Sequence, residues 1–117
     1  MSDIFKELYD LVERRKSERE ESSYTAYLFD SGLDKILKKL GEECAETIIA
    51  AKNLKAGDGD SADERDALTN EAGDLIYHFT VMLCELGVSP EEVEDVLRER
   101  MKKTGNRKQP RQSDKNT

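Results

Sequence analysis

Apolar residues recur along this chain at helical spacing, and strand-like alternation appears nowhere. Ile4, Phe5, Leu8, Leu11 and Val12 predict a first helix, which turns polar from Glu13 to Glu21. A short segment follows, with Ser22 or Ser23 as candidate cap, then Tyr24, Tyr27 and Leu28, ending near Ser31 and Gly32. Leu33, Ile36, Leu37, Leu40, Cys44, Thr47, Ile48 and Ala51 then form one stripe, predicting a helix of roughly 30 Å at 1.5 Å per residue. Lys55 to Ser61 reads as a flexible linker. From Asp63 or Glu64 a second long helix carries Leu68, Ala72, Leu75, Ile76, Phe79, Met82, Leu83 and Leu86 and stops at Gly87. Ser89, Pro90 and Glu92 read as cap, first-turn proline and capping-box glutamate of a last helix through Val93, Val96, Leu97 and Met101. The expected fold is an all-α bundle of four to five helices, built on two long antiparallel helices joined by a hinge of about ten residues.

Composition narrows the function classes. The 117 residues suit one domain with a small core, and the apolar share of 36% is thin. The net charge of −7 argues against nucleic-acid binding, because phosphate neutralisation needs surplus Lys and Arg. An anionic ligand must therefore meet a local basic patch or a metal ion. Residues 104–117 carry Arg107, Lys108, Arg111 and Lys115 against Asp114, a net of +3, which leaves −10 on residues 1–103. This tail holds no large apolar residue and is expected to be disordered, outside a single domain at 1–103. No apolar run is long enough for a membrane span and no signal-peptide pattern is present, so the expected setting is cytoplasmic. Cys44 and Cys84 both sit among apolar neighbours and are expected to be buried thiols.

The informative acids are those that crowd one arc or intrude on a core stripe. At about 100° per residue, Glu42, Glu43 and Glu46 share one arc of the first long helix, with Lys35 and Lys39 on the same face. In the second, Glu71, Asp74, Glu64 and His78 overlap the edge of the apolar stripe. A solvated acidic face is one reading. The other starts from the cost of burying an unpaired carboxylate, which must meet a cation or take up a proton. Glu46 and Glu71 lie at similar distances from the hinge, so folding back brings Glu43 and Glu46 opposite Glu71 and Asp74. Oxygen-only ligation of this kind favours Mg²⁺ or Mn²⁺ over Zn²⁺. Gly73, inside the second acidic motif, calls for close helix approach or ligand access, since helical glycine costs about 1 kcal/mol against alanine. Tyr77 points off the main core stripe.

Three stretches carry a family likeness: Ser23 to Phe29 (SYTAYLF), Lys35 to Thr47 (KILKKLGEECAET) and Asn70 to His78 (NEAGDLIYH). Over residues 4–103 the chain resembles the phosphoribosyl-ATP pyrophosphohydrolases of histidine biosynthesis, within the MazG-like all-α nucleotide pyrophosphohydrolases. The resemblance implies hydrolysis of 1-(5-phosphoribosyl)-ATP to 1-(5-phosphoribosyl)-AMP and pyrophosphate, by metal-assisted water attack at the α-phosphorus. It implies Glu43, Glu46, Glu71 and Asp74 as Mg²⁺ ligands, and a catalytic group of Glu42, Glu43 and Glu46 in which Glu42 is a further ligand or the base. Lys39 and Lys35 are candidate phosphate contacts, or else ion-pair partners. His78 is either a hydrogen-bonding support for a ligating carboxylate or a satisfied core histidine. Tyr24 and Thr25 either bind substrate or cap and pack the short helix. A homodimer is also implied. The alternatives are a MazG-like (d)NTP pyrophosphatase that clears noncanonical nucleotides, and a non-enzymatic helical interaction protein.

Overall fold

A computed structural model describes residues 3–57 and 62–103; the basic tail and most of the linker lie outside these described residues. Five helices and no strand are found among them: α1 (Ile4–Glu18), α2 (Tyr24–Ser31), α3 (Leu33–Ala56), α4 (Ala62–Leu86) and α5 (Pro90–Lys102). The all-α bundle expected from periodicity is therefore observed. Each start has a local chemical cause. Asp3 accepts from the Lys6 amide at 3.1 Å, and Ser23 accepts from the Ala26 amide at 3.2 Å. Ser89 and Glu92 close a reciprocal capping box, with Pro90 in the first turn. Between α2 and α3, Gly32 adopts φ 95°, a region that disfavours side chains, so the reversal falls there. The α3 helix runs on through Lys55 and Ala56, which the sequence pattern gives to the linker, and α4 begins at Ala62, slightly earlier than expected.

Val12, Leu28, Phe29, Ile36, Val81 and Cys84 form the core, with Leu8, Tyr9, Tyr77 and Met82 packed against it. It lies where α1, α2, the start of α3 and the second half of α4 meet. Beyond it, α3 and α4 pack chiefly against each other, and α5 touches mainly α1. Their antiparallel register is fixed by the Thr47 hydroxyl, which shares its proton between the Glu43 carbonyl at 2.7 Å and the Glu71 carbonyl at 3.3 Å.

The predicted stripes are only partly covered. On α3 just Ile36 and Ala50 are deeply buried, whereas Leu37 and Ile48 are open, Ile48 to 64%. Cys44 is exposed and only Cys84 is buried, so the expectation of two buried thiols fails for Cys44. The cause is shared: these residues sit on the side of α3 that faces neither α4 nor the core. On α4 the buried residues are His78, Thr80, Val81, Leu83 and Cys84, while Ile76 (53%) and Leu86 (54%) are open. Tyr77, placed off the stripe by the sequence, packs on the core and bonds the Thr25 hydroxyl. Gly73 has nothing within 4 Å of where a Cβ would stand, so close helix approach within the chain does not explain it. No described helix is long and apolar enough to cross a membrane.

Candidate metal centre

Because α3 and α4 run antiparallel, residues equidistant from the hinge face each other. Glu43, Glu46 and Glu71 each offer a carboxylate oxygen, and the three oxygens lie within 4.8 Å of one another. The crowding acts on proton affinity. Burial first, and then the Glu46 charge, push Glu43 above the usual carboxylate range. The Glu46 carboxylate beside it, followed by burial, pushes Glu71 up to about 7. Glu43 Oε2 and Glu71 Oε2 are buried with no hydrogen-bond partner among the described residues. Like charges at this spacing, with two buried oxygens unpaired among the described residues, are the circumstances in which a cation is stabilising. Three hard oxygen donors with no thiolate or imidazole among them suit Mg²⁺ or Mn²⁺. The residues present thus fit such an ion.

Two predicted residues stand apart from this trio. Asp74, one turn past Glu71, is exposed and outside the three-oxygen group, though near enough for its charge to raise the proton affinity of Glu43. Glu42 also lies outside and pairs with Lys39 at 3.4 Å. That contact gives Lys39 the ion-pair role that sequence reasoning left as one of two options. Lys35 lies 5.9 Å from the centroid of the Tyr27 ring.

His78 is buried beside Glu43. The Asp74 carbonyl can only accept, so His78 Nδ1 donates to it at 2.7 Å, and Nε2 shares a hydrogen bond of 2.9 Å with the Tyr24 hydroxyl. His78 Nδ1 is also 4.0 Å from Glu43 Oε1. The ring therefore ties α2 to the start of the acidic surface on α4, which satisfies it as a core histidine and also places it against a candidate ligand. An open groove of about 350 Å³ borders the trio, lined by Glu46, Ile49, Ala50, Asn53, Ala67 and Glu71 among others.

The profile of a family described as phosphoribosyl-ATP pyrophosphohydrolase matches residues 5–101. The chain belongs to this family. A curated phosphoribosyl-ATP pyrophosphatase of Streptococcus gordonii is 52% identical over 96 residues, covering 82% of this chain and 84% of that protein. The protein of the same name from Clostridium novyi is 43% identical over 114 residues, covering 97% and 96%. In Streptococcus thermophilus the figure is 50% over 103 residues, covering 88% and 86%. All three acidic residues of the trio, together with Tyr24 and His78, fall inside the stretch that the pyrophosphohydrolase profile matches. Sequence reasoning missed two features of this region. Ile49 and Asn53 line the groove, and their position one and two turns beyond Glu46 was the available signal. The bond between Thr25 and Tyr77 had no signal, since neither residue's own neighbours announce it.

Proposed function

We propose that this protein hydrolyses 1-(5-phosphoribosyl)-ATP to 1-(5-phosphoribosyl)-AMP and pyrophosphate, the activity its family is named for and a step of histidine biosynthesis. The observation that carries the proposal is the approach of Glu43, Glu46 and Glu71 to within 4.8 Å in a chain of this family. In this reading Glu43, Glu46 and Glu71, with Asp74 one turn further, hold Mg²⁺, with Mn²⁺ as a substitute. A divalent cation held by these carboxylates would supply charge to offset the triphosphate and the departing pyrophosphate. Water adds to the α-phosphorus and a carboxylate takes its proton. The bond from the α-phosphorus to the bridging oxygen breaks, and pyrophosphate leaves with the electron pair. Glu42, Glu43 and Glu46 supply the candidates for the base, and Glu42, paired with Lys39, shares a helical arc with Glu43 and Glu46. His78 fixes the surface from below through its bonds to Tyr24 and Asp74.

A homodimer and a cytoplasmic setting belong to the same reading. Leu37 and Ile48 on α3, Ile76 and Leu86 on α4, and Val96 and Leu97 on α5 are each more than two-fifths exposed. Open apolar residues in such number on a thin-cored chain support a second subunit. A nucleotide-consuming biosynthetic step supports the cytoplasm. The test measures pyrophosphate release from phosphoribosyl-ATP and from a panel of NTPs and dNTPs, with and without Mg²⁺. Mg²⁺-dependent turnover that favours phosphoribosyl-ATP is expected. Preference for simple dNTPs, or no turnover at all, overturns the proposal.

A further inference from the structure

The substrate in the reading above is charged at both ends. Its triphosphate reacts at the carboxylates, and its phosphoribosyl arm ends in a separate phosphate monoester, which carries about −1.5 to −2 near pH 7 as such groups do. In a chain of net charge −7, that second phosphate needs its own cationic contact.

Helix α2 offers one beside the trio. Its inner side, Thr25, Ala26, Leu28 and Phe29, is buried, and its outer side presents Tyr24 (45% exposed) and Tyr27 (48% exposed) three residues apart. The two rings lie 6.1 Å apart, centroid to centroid, at 30°. Tyr24 is not a loose surface ring. Its hydroxyl is hydrogen-bonded to buried His78, which meets its ring edge-on at 5.8 Å. Burial raises the Tyr24 phenol, and the charges of Lys39 and Glu43 are both close enough to act on it. Lys35 stands over Tyr27 and forms no ion pair among the described residues. From Lys35 to Glu43 is two helical turns, roughly 12 Å at 1.5 Å per residue, which is the scale of a nucleoside. The exposed apolar residues Leu37 and Ile48 lie on roughly the opposite side of α3, so an apolar interface there leaves this surface free.

We propose that Tyr24 and Tyr27 on α2 form, with Lys35 on α3, the subsite for the phosphoribosyl arm, Lys35 meeting the arm's phosphate while the rings line the path from it to the carboxylates. Tyr24 is held in place by His78, and Lys35 is the specificity determinant against nucleotides that lack the arm. The inference rests on the proposed substrate, and its test separates the two claims.

Equilibrium binding of phosphoribosyl-AMP and of AMP is measured by calorimetry on the full chain and on Lys35→Gln, Lys35→Arg and Tyr27→Ala, alongside turnover of phosphoribosyl-ATP by the unaltered protein. The unaltered chain should bind phosphoribosyl-AMP at least tenfold more tightly than AMP. Lys35→Gln should shrink that ratio to within about threefold while AMP affinity shifts less than twofold, Tyr27→Ala should reduce it, and Lys35→Arg should keep it. A ratio that survives Lys35→Gln, or equal losses for both probes, overturns the subsite. So does the lack of any preference in the unaltered chain, whatever its turnover. Preference for phosphoribosyl-AMP that depends on Lys35 without turnover of phosphoribosyl-ATP overturns the proposed reaction and keeps the subsite.

Discussion

If the carboxylate trio holds a divalent cation, binding must expel the proton that crowding keeps on Glu71. In the metal-free chain, Glu46 and burial push Glu71 up to about 7. A single site with that midpoint is protonated to ~0.9 at pH 6, ~0.5 at pH 7 and ~0.1 at pH 8, and a cation ligand must be deprotonated. Mg²⁺ or Mn²⁺ binding should therefore release about 0.9, 0.5 and 0.1 of a proton at these three values. The sign follows directly: protons compete with the cation below the midpoint, so apparent affinity rises with pH. It should increase about tenfold between pH 6 and pH 8 and then level off. Titration calorimetry in two buffers of different ionisation enthalpy reads the proton count, because the observed heats differ by that count times the enthalpy difference. Glu71→Gln should bind the cation more weakly and lose this pH-dependent release. Tight binding at pH 6 with no proton released, or unchanged binding by Glu71→Gln, would refute the reasoning.

Other substitutions test separate parts of the account. Glu43→Gln and Asp74→Asn should each nearly abolish phosphoribosyl-ATP hydrolysis while far-UV circular dichroism stays helical; unaffected rates would remove that residue from the site. Leu37→Glu combined with Ile48→Glu should convert the proposed dimer to a 13.3 kDa monomer by light scattering, since both side chains are exposed. Leu28→Ala, at a fully buried position, should cost about 3 kcal/mol in urea unfolding, and a cost under about 1 kcal/mol would contradict its place in the core. Gly73→Ala should raise the urea midpoint by an amount worth about 1 kcal/mol, because nothing stands within 4 Å of the added methyl. Destabilisation there would show that something outside the described residues approaches Gly73.

Features governed by near neighbours were legible in the sequence. Ser23, Ser89 and Glu92 announce their helix starts because a cap needs only residues within one turn. The meeting of Glu43 and Glu46 with Glu71 was legible too, since an antiparallel pair on one hinge allows only equidistant residues to face each other. Coverage was not legible. Periodicity places Cys44, Ile48 and Ile76 on apolar stripes but says nothing of what covers a stripe, and among the described residues all three are exposed. The wide apolar arc of α4 likewise hid that its second half turns toward α1 and α2 through Thr80, Val81 and Cys84, a choice made by distant partners. The same limit applies to Thr25 and Tyr77, fifty-two residues apart, and to the paths by which His78 meets Tyr24.

The most direct measurement follows oxygen. Phosphoribosyl-ATP is hydrolysed in ¹⁸O-labelled water with Mg²⁺, and both products are weighed by mass spectrometry. Attack at the α-phosphorus predicts one labelled oxygen in phosphoribosyl-AMP and none in pyrophosphate. Label in the pyrophosphate, or formation of neither product, would contradict the account.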